Sequence, residues 1–263
     1  IRDRLGNDKT TATISTPVHV KSSDGTYLTG ISMVSGGANH VIAMSNTNDI
    51  YAWGDNSKAQ YHEVANTHVA NKITDKDSLN PENDDVFTSF SRVTAGWNYS
   101  VILTNNGYLW ALGNNTYGQL GDGTYGTSNV DKFVPRQVRI GQNESNTKLL
   151  TNIKYVAAGA NSSAAIDQDG LLYVWGNNDN GQLGVDGKIV AYPTLVEALK
   201  DNPATPNADE TILVSAVELS ESHTIIIDAL TKRAYTWGKN DHNQLGYQQS
   251  ILTVSYTHLT LPT

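Results

Sequence analysis

Two histidines, His40 and His223, stand at the same position of a motif that recurs along this chain of 263 residues. Imidazole is a common metal ligand, so histidines supplied by successive copies could form a metal site. The two copies between them carry Tyr99 and Ser162 at this position instead. A site that needs several imidazoles cannot be assembled from this set. We therefore expect both histidines to be hydrogen-bonded side chains that brace the fold.

A second candidate is the pair Asp167 and Asp169, because neighbouring carboxylates can serve acid–base catalysis or bind Ca²⁺. The pair stands directly before Gly170, and Asp-Gly supplies the positive φ of a tight hairpin turn. The matching segments of other copies, 46–49 and Asn105-Asn106-Gly107, lack the acidic pair. We therefore predict that the aspartates form a turn and not an active site.

The rest of the sequence contains no other pattern of residues that predicts catalysis or metal binding. Without cysteine there is no thiol nucleophile, no thiolate metal site and no disulfide. A serine–histidine–aspartate set, a phosphate-binding loop and a zinc-ligand spacing are also missing from the sequence. We predict no catalytic residue, no bound metal and no cofactor, and hence a protein that is not an enzyme.

Composition and charge restrict the classes of partner and the cellular location that we expect for this chain. The chain has 18 Lys+Arg against 26 Asp+Glu, a formal charge of −8, which repels a phosphate backbone and disfavours nucleic-acid binding. Its apolar runs fall well short of the roughly 18 residues that a membrane span needs. Only 17% of residues are charged, and Asn, Asp, Thr, Ser, Gly and Tyr are common. This composition favours an extracellular or cell-surface location, with the cytoplasm left open.

The candidate residues lie on a repeat that occurs in four copies, each with two anchors and a tail. The first anchor spans 34–41, 93–100, 156–163 and 217–224, and the second spans 51–54, 110–113, 173–176 and 235–238. The tail reads Gly-Gln-Leu-Gly at 118–121 and 181–184, Asn-Gln-Leu-Gly at 243–246, and Ala-Gln-Tyr-His at 59–62. We predict these structural anchor residues: Gly37, Trp53, Gly54, Gly96, Leu112, Gly113, Gly159, Trp175, Gly176, Trp237 and Gly238.

Short apolar runs separated by turn residues lie between the anchors and predict β-strands. The second-anchor glycines are 59, 63 and 62 residues apart, and a four-stranded propeller blade takes about 40 to 50. The surplus lies in the polar segments 66–85, 141–151 and 200–210, which we place on the rim. Apart from one possible helical turn at 194–200, the prediction is an all-β propeller.

The joint pattern Val-x-Ala-Gly-x-x-His/Tyr-Ser, aromatic-x-Trp-Gly-x-Asn, Gly-Gln-Leu-Gly and Pro-x-x-Val resembles the regulator of chromosome condensation repeat family. The resemblance runs from Arg4 to Leu252 and implies part of a seven-bladed ring. Arg4-Leu5-Gly6 then ends an earlier, fifth copy, whose closing strand is predicted at Pro17 to Val20. An open arc leaves apolar blade faces exposed, so we expect the chain alone to be marginally stable or oligomeric.

The predicted units are a partial propeller at 1–253 and a foreign tail at 254–263. The propeller divides into a repeat tail at 1–30 and repeats at about 31–90, 91–150, 151–213 and 214–253. Residues 254–263 resemble the translation of a transposase adapter from a sequencing library. That resemblance implies a fragment from a metagenomic gene prediction.

Trp97 stands at a variable position after Gly96, where the repeat does not demand an aromatic residue. Exposed tryptophans often dominate interface energetics, so we predict a partner-binding face on the surrounding loops. The alternative is that Trp97 packs against a neighbouring loop. The candidate face comprises Asn39, Trp97, Asn98, Asn161, Glu221 and Ser222.

These features favour a non-catalytic scaffold that binds a protein partner of unknown identity, in a secreted or surface protein of a bacterium. Two alternatives remain open at the level of the sequence. The family resemblance implies guanine-nucleotide exchange on a small GTPase as the first. The second is a targeting domain of a larger enzyme.

Overall fold

The computed structural model describes residues 5–8, 14–61, 66–73, 89–126, 131–141, 148–199 and 211–246. The segment 254–263, assigned above to a translated adapter, lies outside the described residues. The same is true of 200–210 and of parts of the other two predicted rim segments.

Four antiparallel sheets follow one another along the chain, and we call them blades A to D. Blade A contains β1 (Ile31–Gly36), β2 (His40–Ser45), β3 (Ile50–Gly54) and β4 (Thr67–Lys72). Blade B contains β5 (Phe90–Ala95), β6 (Tyr99–Thr104), β7 (Leu109–Asn114) and β8 (Asp131–Gln137), and is followed by the short ladder of β9 (Arg139–Ile140) and β10 (Lys148–Leu149). Blade C contains β11 (Ile153–Ala158), β12 (Ser162–Asp167), β13 (Leu172–Asn177) and β14 (Ile189–Leu195), and blade D contains β15 (Val214–Leu219), β16 (His223–Asp228) and β17 (Ala234–Gly238).

Each blade is a meander in which sequence neighbours pair, so one repeat builds one sheet. This confirms the predicted all-β propeller architecture. The one helical element among the described residues is a 3-10 turn, Glu197–Leu199, within the segment where a single turn was expected.

The hairpin turns form where the sequence predicted them. Gly107 has a φ of +82° and its N–H donates to the carbonyl of Thr104 at 3.0 Å. In blade C, Gly170 has a φ of +90° and its N–H donates to the carbonyl of Asp167 at 3.1 Å. The Asp167 carboxylate also accepts the N–H of Leu171 at 2.8 Å. Asp167 therefore acts within the turn.

The blades pack face to face through their inner strands. Strands β1 and β2 contact β5, strands β5 and β6 contact β11, and strands β11 and β12 contact β15. One apolar cluster spans blades B to D, with Leu103, Ile166 and Ile226 buried in it, and a second joins blades A and B around Ile42 and Ile102. Because apolar residues fill both faces of a middle blade, the core lies between sheets.

Three anchor positions of the second motif are buried wedges: Trp53 is 5% exposed, and Leu112 and Trp175 are 0% exposed. The indole N–H of Trp175 donates to the carbonyl of Gln119 at 2.9 Å, which ties blade C to the tail of the preceding repeat. Trp237 was also predicted as a structural anchor, but it is only half-buried. It lies on β17, which is an edge strand within the described residues.

The tail glycine of one repeat makes room for the tryptophan of the next blade. A Cβ added at Gly6, Gly121 or Gly184 would lie 2.9, 2.8 or 2.9 Å from the indole nitrogen of Trp53, Trp175 or Trp237, respectively. The sequence also shows that the tryptophan is replaced where the tail glycine is absent. In the one copy whose tail ends in His62 rather than glycine, the next blade carries Leu112 in place of tryptophan.

The N-terminal segment has the geometry of a repeat tail. The N–H of Lys21 donates to the carbonyl of Gly6 at 2.6 Å, as the N–H of Arg139 donates to Gly121 at 3.0 Å. The predicted closing strand at Pro17 to Val20 is not a strand in the structure. Instead, Ser22 forms an isolated bridge to Ala70 on the outer strand of blade A.

We expect the substitution Gly176→Ala to lower the free energy of unfolding by about 3 kcal/mol, since a positive φ and a backbone clash act together. Gly176 has a φ of +106°, and its added Cβ would lie 2.4 Å from the carbonyl oxygen of Asn161. The matched control is Gly181→Ala, at a φ of +69° with no atom within 4 Å of the added Cβ, where we expect a loss of about 1 kcal/mol. Urea unfolding measures both, and equal losses would contradict this account of the second anchor.

Candidate protein interface

The loops between the first two strands of each blade lie side by side at one end of the blades. A chain of backbone hydrogen bonds joins them. The N–H of Ala38 donates to Trp97 at 3.1 Å, that of Trp97 to Ala160 at 3.0 Å, and that of Ala160 to Ser220 at 3.4 Å. We call the surface formed by residues 37–39, 96–98, 159–161 and 220–222 the loop face.

Glycine allows the loops of adjacent blades to approach this closely. A Cβ at Gly37 would lie 2.4 Å from the carbonyl oxygen of Gly96, and one at Gly159 would lie 2.5 Å from that of Ser220. Ser220 replaces the glycine in blade D, where its hydroxyl oxygen accepts the N–H groups of Ser222 and His223 at 3.2 and 3.0 Å. The side chain thus closes this loop on itself.

The last residue of each loop forms a backbone hydrogen bond within its own blade. The carbonyls of Asn39, Asn98, Asn161 and Ser222 each accept the N–H of the residue that follows the second-anchor glycine, at 2.8 to 2.9 Å. The side chain of Asn39 is buried, with the residue 8% exposed, so Asn39 offers a partner almost no surface. Asn98, Asn161 and Ser222 are half-buried.

Trp97 and Glu221 are the exposed members of the predicted set. Trp97 is 43% exposed, although both its backbone N–H and its carbonyl are bonded to neighbouring loops. Its buried fraction is consistent with partial packing against the loops beside it. An exposed indole on a backbone fixed from both sides can bind with little loss of conformational entropy.

The two histidines are not brought together. His40 is 1% exposed, and its Nε2 lies 3.0 Å from the hydroxyl oxygen of Ser100 in the next blade. Because that hydroxyl donates to the carbonyl of Gln60 at 2.8 Å, Nε2 is the donor to Ser100. Burial lowers the pKa of His40 to about 4, which keeps the ring neutral. The Nδ1 of His223 instead lies 2.6 Å from Ser220 in its own loop.

Tyr99 takes the place of His40 at the junction of blades B and C. Its hydroxyl donates to the carbonyl of Ser162 at 2.5 Å and accepts from the hydroxyl of Ser163 at 3.0 Å. Burial raises the pKa of Tyr99, so the hydroxyl stays a donor. At His40 and Tyr99 this motif position therefore braces one blade against the next, whereas His223 bonds within its own loop.

Within the described ranges, no group of three or more His, Asp or Glu side chains is placed to hold a metal ion. No helix in that part of the chain has the length and apolar character to cross a bilayer.

Sequence reasoning missed a polar chain across three blades, in which Arg92 contacts Tyr155 and Tyr155 contacts Glu218. The repeat motif does not specify these residues. The residue before the first-anchor valine is Met33, Arg92, Tyr155 or Ala216 in the four copies. The only available signal was a charged residue at a position that is otherwise uncharged.

Family comparison agrees with the strands and the anchors. The model of the regulator of chromosome condensation (RCC1) repeat matches residues 106–166 and 169–227, and a second model of the same repeat matches 31–60, 90–119 and 153–182. The chain belongs to the RCC1 repeat family. The resemblance inferred from the sequence motifs is thus confirmed.

Several RCC1-repeat relatives align along most of the chain. The ultraviolet-B receptor UVR8 of Arabidopsis thaliana is 27% identical over 228 residues, covering 84% of this chain and 44% of its own. The RCC2 homolog of Xenopus laevis is 29% identical over 245 residues, covering 84% and 43%. The secretion-regulating guanine nucleotide exchange factor of Bos taurus is 24% identical over 264 residues, covering 82% and 53%. The chain thus spans about half the length of these curated relatives.

Two solved structures show the same fold. Prp20p of Saccharomyces cerevisiae, described together with its binding to Gsp1p and histones, superposes with a TM-score of 0.63 at 19% identity, covering 82% of this chain and 47% of its own. Human WBSCR16 superposes with a TM-score of 0.60 at 20% identity, covering 79% and 47%. At this identity the likeness establishes the propeller architecture alone.

Proposed function

We propose that this RCC1-repeat chain is a non-catalytic scaffold that binds a protein partner through the loop face. The observation that carries the proposal is Trp97, which is 43% exposed on loops whose backbone is hydrogen-bonded from blade to blade. A large aromatic side chain at a position where the repeat does not require it is the residue type that dominates interface energetics.

The rigidity of the loop face supports this function. The backbone bonds from Ala38 to Ser220 join the four loops, so a partner meets a preformed surface. A preformed surface binds with a small entropic loss. Glu221 adds an exposed negative charge beside the loop of Ala160. A protein partner fits this face better than nucleic acid, because the chain as a whole carries a charge of −8.

The composition supports a secreted or cell-surface bacterial location for this scaffold. The chain is rich in Asn, Asp, Thr, Ser, Gly and Tyr, and only 17% of its residues are charged. Fractionation of the source cells, followed by detection of the chain, tests this part of the proposal independently of the partner.

Guanine-nucleotide exchange on a small GTPase is the second candidate, because one relative, from Bos taurus, is named as such an exchange factor. A targeting domain within a larger enzyme is compatible with the same loop face. The release rate of a fluorescent nucleotide from a small GTPase separates exchange from scaffolding. Under the scaffold proposal, adding the chain leaves that rate unchanged.

Photo-crosslinking tests which face binds. A benzophenone amino acid placed at Trp97 should capture a protein in the source cells, whereas the same probe at Leu230 should not. Leu230 is 75% exposed and lies in the β16–β17 turn, at the opposite end of blade D from the loop face. Adducts at position 230 and none at position 97 would overturn the proposal.

A further inference from the structure

The inner strands of the four blades line a cavity of about 310 Å³ next to the loop face. Strands β1, β5, β11 and β15 all contribute to its wall. The polar side chains of this wall are Ser35, Arg92, Thr94 and Glu218. The cavity therefore combines one cation, one anion and two hydroxyl groups, and it is separate from the surface of Trp97.

Arg92 is held in one orientation by the next blade. Its Nε donates to the carbonyl of Val156 at 3.1 Å, and its Nη2 donates to the hydroxyl of Tyr155 at 3.0 Å. The guanidinium also lies over the Tyr155 ring, 4.1 Å from its centroid. Such a fixed guanidinium is preorganised to bind a carboxylate.

Tyr155 links the cation to the anion. Its hydroxyl accepts from Arg92 and donates to Oε1 of Glu218 at 3.1 Å, so the two opposite charges lie on either side of one phenol oxygen. Burial raises the pKa of Tyr155, which keeps the phenol protonated as a donor. Among the described residues, Nη1 of Arg92 and Oε2 of Glu218 have no hydrogen-bond partner.

Two hydroxyl groups on the wall of the cavity are further hydrogen-bond donors. The oxygen of Ser35 accepts the backbone N–H of Ala95 at 2.9 Å, which leaves the Ser35 hydroxyl proton free to donate. Thr94 lines the same wall, and no described residue takes its hydroxyl proton. A carboxylate bound at the guanidinium would have these two hydroxyl groups in the same cavity wall as further hydrogen-bond donors.

We propose that this cavity binds a small zwitterion of the α-amino-acid class. The ligand carboxylate lies on Arg92, and the ligand ammonium lies on Glu218. An anion alone would face the repulsion of Glu218, and a cation alone would face the repulsion of the guanidinium. A ligand whose opposite charges are only a few bonds apart satisfies both ends. The site serves small-molecule binding and goes beyond the proposed protein scaffold.

Isothermal titration of the full chain with L-alanine tests the proposal, with acetate and methylammonium as probes that carry one charge each. We expect L-alanine to bind at least about tenfold more tightly than either probe, because it makes charge-assisted bonds at both ends. No detectable binding of L-alanine, or equal affinity for acetate, would overturn the proposal.

Substitutions inside and outside the cavity test where L-alanine binds. Glu218→Gln should weaken L-alanine binding at least about tenfold while leaving weak acetate binding in place, since it removes the anion that pairs with the ammonium. Glu221→Gln is the matched control, because Glu221 is exposed on the loop face outside the cavity, and binding should not change. Equal effects of the two substitutions would refute the assignment. Trp97→Ala should leave L-alanine binding intact, which separates this test from that of the scaffold.

Discussion

Replacing Trp175 with alanine is expected to lower the free energy of unfolding by about 4 kcal/mol, within the range for truncating a fully buried aromatic side chain. Trp175 is 0% exposed, and its indole N–H donates to the carbonyl of Gln119 at 2.9 Å. The substitution leaves a cavity between blades and removes the indole donor from the Gln119 carbonyl, which keeps the Ser163 hydroxyl at 3.1 Å. Urea unfolding at neutral pH, followed by far-ultraviolet circular dichroism, measures the loss.

Trp97→Ala is the matched control for this substitution. Trp97 is 43% exposed and is held through backbone groups that alanine retains. We expect a loss below about 1 kcal/mol, as for most surface substitutions. If both tryptophan variants lost the same stability, Trp175 would not be an inter-blade wedge in the sense described here.

Lowering the pH from about 6.5 to 4.5 should destabilise the wild type more than a variant with His40→Gln. The pKa of His40 in the fold is about 4, below its ordinary value of 6.5, because burial opposes the charged ring. The unfolded chain therefore takes up the proton first as the pH falls. The contribution of neutral His40 to the free energy of unfolding is fully present above the pKa in the unfolded chain. It is lost as the pH falls toward the pKa of about 4 in the fold. At about 1.4 kcal/mol per pKa unit, the full loss is about 3.5 kcal/mol and is complete only below about pH 4.

Two groups beside His40 oppose the lowering of its pKa by burial but do not reverse it. The Asp55 carboxylate and the backbone carbonyl of Tyr99 favour the protonated ring, yet desolvation outweighs both. The readout is the slope of unfolding free energy against pH, because His40→Gln also changes packing at every pH. His19→Gln, at an exposed histidine, should keep the wild-type slope. An unchanged slope in His40→Gln would rule out this buried histidine as the cause.

Local signals in each repeat predicted the blades. Apolar runs ending at Asn-Gly or Asp-Gly turns set the hairpins, as at Gly107 and Gly170, because a tight turn needs a residue that tolerates positive φ. The glycine and tryptophan anchors are equally local in sequence. Their spacing was sufficient to predict the propeller blades and the anchor positions that include the buried Trp53, Leu112 and Trp175.

Properties that depend on contacts between blades were harder to predict. Asn39 stood in the candidate face but is 8% exposed, because its loop folds against β3. Trp237 stood among the predicted structural anchors but is half-buried on the edge strand β17. The chain from Arg92 to Glu218 crosses three blades, and sequence spacing within one repeat cannot show which side chains meet across a blade junction.

The dissociation constant of the protein captured at position 97 is the measurement that tests the scaffold most directly, compared between wild type, Trp97→Ala and Leu230→Ala. We predict that Trp97→Ala weakens binding by about 30-fold or more, the effect of losing a hot-spot side chain, with stability nearly unchanged. Leu230→Ala, at the opposite end of blade D, should bind as the wild type does. Wild-type affinity in Trp97→Ala together with weakened binding in Leu230→Ala would contradict the loop face as the binding surface.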